Sequence, residues 1–152
     1  MTAAESITVA SYNVRKAIGY AYPYVDAWKA AGEIVGLTRV PGTNILPPGT
    51  NGRTPYDVLG IKGENTDPQK AKELLTKANA LGYEIKFYYQ TDDPLSVAGK
   101  DQVVKALEAG GFKATPIATT TDKVREARTD YNSPVNVRSS GWCSDWPTGG
   151  SW

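Results

Sequence analysis

EIKFYYQTDDPLSVAGKDQVVKALEAGGFKATPIA, residues 84–118, is where the periodicity of the chain changes from two to three-and-a-half and back again. Ile85, Phe87 and Tyr89 alternate with Glu84, Lys86 and Tyr88, the pattern of a strand with one face in a core and one toward water. Thr91-Asp92-Asp93-Pro94 turns the chain. A helix from about Val97 to Ala109 follows, with Val103, Val104 and Leu107 on its apolar face and Gly110-Gly111 as its stop. Phe112 to Ala118 then reads as a second strand.

Working outward, Thr66-Asp67-Pro68-Gln69 combines an N-cap candidate, a proline at the first helical position and a capping-box glutamine. Ala71, Leu74, Leu75, Ala78 and Leu81 then share one helical face, and Gly82 is expected to close that helix. Downstream, Thr121 caps a short charged helix through Arg128, Asn132-Ser133-Pro134 turns, and Val135–Arg138 reads as a third strand. The back of the chain is thus expected to be β-α-β-α-β, an α/β (α+β) layer of helices on a mixed sheet. At the front, Val14–Tyr22 and Tyr24–Val35 read as two helices separated by Pro23. Residues 36–63 carry Pro41, Gly42, Pro47, Pro48, Gly49, Gly52, Pro55, Gly60 and Gly63 and are expected to form a long loop.

With 152 residues, 40% hydrophobic and 22% charged, the chain fits one domain spanning 1–152. Seventeen basic against sixteen acidic residues leave a net charge of +1, which gives no electrostatic footprint for nucleic acid. Histidine is absent, which removes Ser-His-Asp, Cys-His and His-zinc chemistry, and a single cysteine builds neither a thiolate cage nor an internal disulfide. No cofactor is implied. The glycines at 42, 49 and 52 lack the Gly-Lys-Ser/Thr of a phosphate loop, and Phe87-Tyr88-Tyr89 comes without an RNA-binding signature.

Three of the four tryptophans, the lone cysteine and one isolated carboxylate lie in Gly141-Trp142-Cys143-Ser144-Asp145-Trp146-Pro147-Thr148-Gly149-Gly150-Ser151-Trp152. Tryptophans around a carboxylate suit a wall over a ligand or a surface covered by a partner; the alternative is an aromatic plug under a core. The segment begins where the third strand should end, and strand ends are where ligands meet such sheets. Trp142, Asp145 and Trp146 are therefore candidate ligand-binding residues, joined by Asp92 and Asp93 at the end of the central strand, where a plain turn is the competing reading. Cys143 reads as a small buried hydrophobe, with no base in sequence to stabilise a thiolate. Tyr20, Tyr22 and Tyr24 fall two apart and read as packing.

Asn13-Val14-Arg15-Lys16-Ala17-Ile18, Leu46-Pro47-Pro48, Thr66-Asp67-Pro68-Gln69-Lys70-Ala71-Lys72-Glu73-Leu74-Leu75 and Gly141-Trp142-x-x-Asp145, in that order, resemble the extracytoplasmic solute-binding proteins of peptide-type ABC transporters. Their counterparts in that family are a VRxAi helix, an lPP loop, a DpekAkxLL helix and a GWxxD strand end. The resemblance implies a two-lobe clamp of several hundred residues, of which this chain would be the central part of the second lobe. The first lobe and any signal or lipid anchor would then lie outside the 152 residues, and a membrane permease would be the partner. It also implies that Asp145 pairs with a peptide α-amino group beside Trp142, an arrangement that joins a charge-assisted hydrogen bond to cation–π attraction. Two departures widen the expected ligand to a cationic or other small polar solute. Trp146-Pro147-Thr148-Gly149 follows the aspartate where relatives often have Asp-Pro, and Asp92-Asp93 stands near where they place an arginine. The expected function is non-enzymatic solute binding for uptake; the alternatives are a protein-interaction module with an exposed tryptophan face or a small carboxylate- or cysteine-dependent hydrolase.

Overall fold

The alternation in residues 84–90 is realised as strand β1, Glu84–Gln90, and its partner β2, Lys113–Thr119, lies parallel to it from Glu84↔Lys113 to Gln90↔Thr119. The computed structural model describes residues 12–42, 46, 49–54, 56–61 and 66–138. Among these the sheet has two strands, both parallel, in place of the mixed sheet expected. Two front helices, α1 (Tyr12–Ala21) and α2 (Tyr24–Ala30), break at Pro23 as the ring's missing N–H dictates. Helix α3 is Pro68–Lys77, α4 is Pro94–Ala109 and α5 is Thr121–Ala127.

The strand and helix that bracket each turn are set by the same local chemistry twice. Asp67 caps α3 by accepting from the Lys70 N–H, and Asp93 caps α4 by accepting from the Leu95 N–H at 3.0 Å; a proline at the first position follows each. Capping by Asp93 starts α4 three residues earlier than the apolar spacing indicated. At the far ends, the Ala80 N–H donates to the Leu75 carbonyl and the Phe112 N–H to the Leu107 carbonyl, each closing a Schellman motif around a residue of positive φ, Asn79 at 52° and Gly111 at 90°. Asn79, not Gly82, therefore ends α3, and Leu81 falls off the apolar face to become 58% exposed. Gly82 N–H to Gly111 O and Lys113 N–H to Tyr83 O clasp the two helix ends together and set the strands in register.

α4 covers the Ile85–Phe87–Tyr89 face of β1, where the Lys100 ammonium lies 5.1 Å from the Tyr89 ring centroid. α5 lies toward the other face, with Val124 and Ala127 lining the same hollow as Tyr88 and Gln90. α1 packs on α3, and α2 on α4. Among the described residues Val14, Leu75, Ile85 and Leu107 are the largest fully enclosed side chains, each contributing about 1.5–3 kcal/mol through burial.

Two sequence expectations fail for physical reasons. Val135–Arg138 is not a strand: it follows the outer edge of β1, where Asn136 substitutes its side-chain amide for a backbone ladder. Asn136 Oδ1 accepts from the Lys86 N–H and Nδ2 donates to the Glu84 carbonyl, both at 2.7 Å. Its N–H and that of Val137 both converge on the Lys86 carbonyl at 3.1 Å. The second front helix stops at Ala30, with Gly32 at φ 78°, so residues 31–35 are turn and extended chain. The described residues of 36–63 contain no helix or strand, as expected of a loop.

Candidate functional site

The carboxyl ends of β1 and β2 finish side by side, and Thr91 and Asp92, which follow β1, stitch it to β2 and to the start of α5. Thr91 donates to the Thr119 carbonyl from both its N–H (2.9 Å) and its hydroxyl (3.1 Å). The Asp92 carboxylate receives the Thr121 N–H at 3.0 and 3.1 Å and the Thr121 hydroxyl at 3.1 Å. The Thr121 backbone N–H is the main reason that the Asp92 carboxyl is held below its usual value. Gln90 donates its N–H to the Ser96 hydroxyl, which in turn donates to Gln90 Oε1, both at 2.9 Å. Asp92 and Asp93 thus lie at the strand end as expected, and the geometry gives each a local task, one tying β1 to the start of α5 and the other capping α4.

Beside this edge a hollow of about 20 Å³ opens between Tyr88 and Gln90 of β1, Val124 of α5, Arg128, Val137 and Arg138. Arg138 is fixed from behind, donating from Nη2 to the Asp130 carbonyl at 2.6 Å. The Ser133 hydroxyl donates to the Tyr88 hydroxyl at 3.2 Å. The strap at Asn136 carries the chain up the edge of β1 until Val137 and Arg138 reach the carboxyl side of the sheet. Arg128 and Arg138 were not anticipated; the one signal in sequence is that Arg138 stands three residues before Gly141-Trp142.

A second, larger hollow of about 380 Å³ lies between α1, the start of α2 and the loop, with Tyr12, Lys16, Tyr24 and Leu59 among its walls. Lys16 sits 5.5 Å over the Tyr12 ring. Tyr20 is buried and donates to the Leu59 carbonyl at 2.8 Å, while Tyr22 and Tyr24 pack edge to face at 4.8 Å, so these tyrosines serve as packing. Trp142, Cys143, Asp145 and Trp146 lie outside the described residues, as do Pro47 and Pro48. Among the described residues no group of three or more His, Cys, Asp or Glu is arranged to hold a metal. No described helix is long and apolar enough to cross a membrane.

No family model and no curated protein matches the chain. Solved structures do match. The ABC transporter substrate-binding protein CtaP of Listeria monocytogenes superposes with a TM-score of 0.62 at 17% identity, over 79% of this chain and 24% of that one. The periplasmic binding protein AgaA of A. tumefaciens R10, solved with agropinic acid, gives 0.61 at 22% identity over 80% and 24%. The periplasmic oligopeptide-binding protein of an oligopeptide ABC transporter from Thermotoga maritima, solved with mannohexaose, gives 0.57 at 18% identity over 78% and 26%. The chain spans about a quarter of the length of these structures. Paired helix–strand units closed by Schellman turns, with a parallel register and a stitched carboxyl edge, give this chain the fold of a segment of the ABC-transporter substrate-binding proteins.

Proposed function

We propose that the chain is the central part of the second lobe of an extracytoplasmic solute-binding protein, which closes by a hinge against a first lobe around a small solute and delivers it to a membrane permease. The observation that carries this reading is the superposition of four-fifths of the chain on one segment of several such proteins. One of these proteins was solved with agropinic acid and another with mannohexaose, so the fold leaves the solute open. A peptide-like solute is the finer reading, supported by the Gly141-Trp142-x-x-Asp145 phrase. On this reading the lobe binds without catalysing.

The ligand-facing set proposed is Trp142, Asp145 and Trp146, with Asp92 and Asp93 on the rim. A carboxylate has about four acceptor sites, so Asp93, which gives one to Leu95, keeps capacity for a solute ammonium. One lobe presents only part of the enclosing surface, and the free energy of closure is missing from it. Calorimetry of the 152-residue chain with di- to pentapeptides should therefore show binding weaker than micromolar. Tryptophan fluorescence should shift when peptide and a complementary lobe are both present, and Asp145→Asn should remove that shift. Micromolar or tighter binding by the chain alone would contradict the divided site.

A further inference from the structure

Asn51 and Gly52 are the central residues of an exposed turn in the loop between α2 and α3, closed by the Arg53 N–H donating to the Thr50 carbonyl at 3.2 Å. Gly52 has φ 85°, in the left-handed region that glycine occupies without strain. Apart from its chain neighbours, nothing lies within 4 Å of where a β-carbon on Gly52 would stand. No packing therefore opposes rotation of the 51–52 peptide. That rotation brings a main-chain nitrogen onto the carbonyl carbon of the asparagine side chain, the approach from which a cyclic imide closes.

Exposure does not single out Asn51, because Asn79, Asn132 and Asn136 are exposed as well. What separates them is the N–H that follows each. The Ala80 N–H donates to the Leu75 carbonyl at 2.8 Å, the Ser133 N–H to the Asp130 carbonyl at 3.2 Å and the Val137 N–H to the Lys86 carbonyl at 3.1 Å. A nitrogen so engaged points elsewhere and keeps its proton. The Asn136 amide is itself bonded to the Lys86 N–H and the Glu84 carbonyl. Asn13 precedes Val14, which is buried and stiff at its branched β-carbon. Among the described residues no hydrogen bond holds the Gly52 N–H or the Asn51 side chain.

We infer that Asn51-Gly52 is a site of spontaneous covalent modification, at which asparagine, a thermolabile residue, converts to isoaspartate and aspartate in the folded chain. The Gly52 nitrogen loses its proton to solvent base and attacks Asn51 Cγ; the new C–N bond expels the side-chain nitrogen as ammonia and leaves a succinimide. Water then opens the ring at either carbonyl. Both products replace a neutral amide by a carboxylate, so the net charge falls from +1 to 0. In isoaspartate the main chain runs through the former side chain and gains one carbon inside the Thr50–Arg53 turn. That added length draws the Arg53 N–H from the Thr50 carbonyl and strains the bond from Arg53 Nε to the Leu46 carbonyl, 3.0 Å, which ties the two ends of this part of the loop. No described residue between 46 and 58 belongs to the enclosed cluster, so the change alters the loop and leaves the core intact.

The test is incubation of the 152-residue chain in mildly alkaline buffer, folded and in urea, followed by peptide mapping with electron-transfer fragmentation, which separates isoaspartate from aspartate. In the folded chain Asn51 should convert at close to its rate in urea, with isoaspartate the larger product. Conversion should quicken as pH rises, because the attacking amide must lose a proton. Asn79, Asn132 and Asn136 should stay intact in the folded chain over the same time. Gly52→Ala should abolish conversion at Asn51. Gly49→Ala, which puts a side chain at another positive φ (88°) in the same loop, should leave it unchanged and so separate the chemistry from a disturbed loop. Conversion in urea but not in the folded chain would mean that the turn keeps the Gly52 nitrogen away from Asn51. Conversion of Asn132 or Asn136 as fast as Asn51 would remove the selection by hydrogen bonding. Either result overturns the inference, and neither bears on the solute-binding reading, which is decided by fluorescence with a complementary lobe.

Discussion

Glu84 opens β1 with its carboxylate surrounded by donors: the Thr115 hydroxyl at 2.7 Å, the Lys113 ammonium at 3.0 Å and the Lys86 ammonium at 3.3 Å. The Thr115 hydrogen bond, followed by that of Lys113, lowers its pKa from 4.5 to about 2. A folded-state pKa below the unfolded one means that folding favours the ionised form. Its contribution is complete above about pH 5 and is lost as pH falls from the unfolded value toward the folded one. Urea midpoints at pH 6 and pH 3 should therefore differ, and Glu84→Gln should shrink the difference. Asp92 and Glu33, both shifted downward by hydrogen bonds, act in the same direction and keep it from vanishing. None of this was legible in the sequence, because the two donors that lower the pKa most, Thr115 and Lys113, come from β2 and their approach depends on the register Glu84↔Lys113. Asn136 was misread for a related reason. Val-Asn-Val-Arg has the alternation of a strand, yet an asparagine amide can bond both the N–H and the C=O groups of a neighbouring edge, and here that side-chain route takes the place of the ladder.

α3–β1 and α4–β2 are built from the same grammar, Asp-Pro at the start, a positive-φ residue at the stop and a seven-residue strand after it. That grammar is local, which is why the existence and order of these elements were readable while their limits moved by a turn where Asp93 and Asn79 took the capping roles. The way the units pack is not local. Gly110 follows α4 with an ordinary φ of −78°, so its backbone would accept alanine. A β-carbon there, however, would stand 2.7 Å from the Ala21 Cβ of α1 and 3.4 Å from the Ala71 Cβ of α3. The two effects have opposite signs. Relief of unfolded-chain entropy would stabilise by about 0.4–1 kcal/mol, whereas overpacking costs about 1–3 kcal/mol. Overpacking should prevail because both neighbours are rigid β-carbons, so Gly110→Ala is expected to lower the denaturation midpoint. Ala21→Gly in the same chain should recover part of the loss. A stabilised Gly110→Ala would show that the three helices do not meet this closely in solution.

The enclosed side chains of α1, α3, β1 and α4 form one cluster, and the loop that joins α2 to α3 contributes little to it beyond Leu59 and Ile61. Between Glu33 and Val40 the chain instead satisfies itself. Gly36 N–H donates to Arg39 O, Leu37 and Thr38 N–H donate to Ile34 O, and Glu33 accepts from the Thr38 hydroxyl and Arg39. Ile34, Leu37 and Val40 are 59%, 75% and 54% exposed, so little apolar burial opposes opening of this turn. Local opening free energy follows buried contacts and not the number of hydrogen bonds, since an exposed hydrogen bond exchanges for one to water. The expected outcome of native-state hydrogen exchange is two tiers: amides of α4 and β1 exchanging only through global unfolding, and those of Gly36, Leu37 and Thr38 exchanging through local opening with weak dependence on urea. If the proposed clamp is right, those exposed apolar side chains are surface awaiting the remainder of a larger protein, and a complementary lobe should slow exchange at Leu37 and Thr38. Protection of the turn equal to that of α4 in the chain alone would mean that this surface is already covered, and would remove the argument that it seats another part of the molecule.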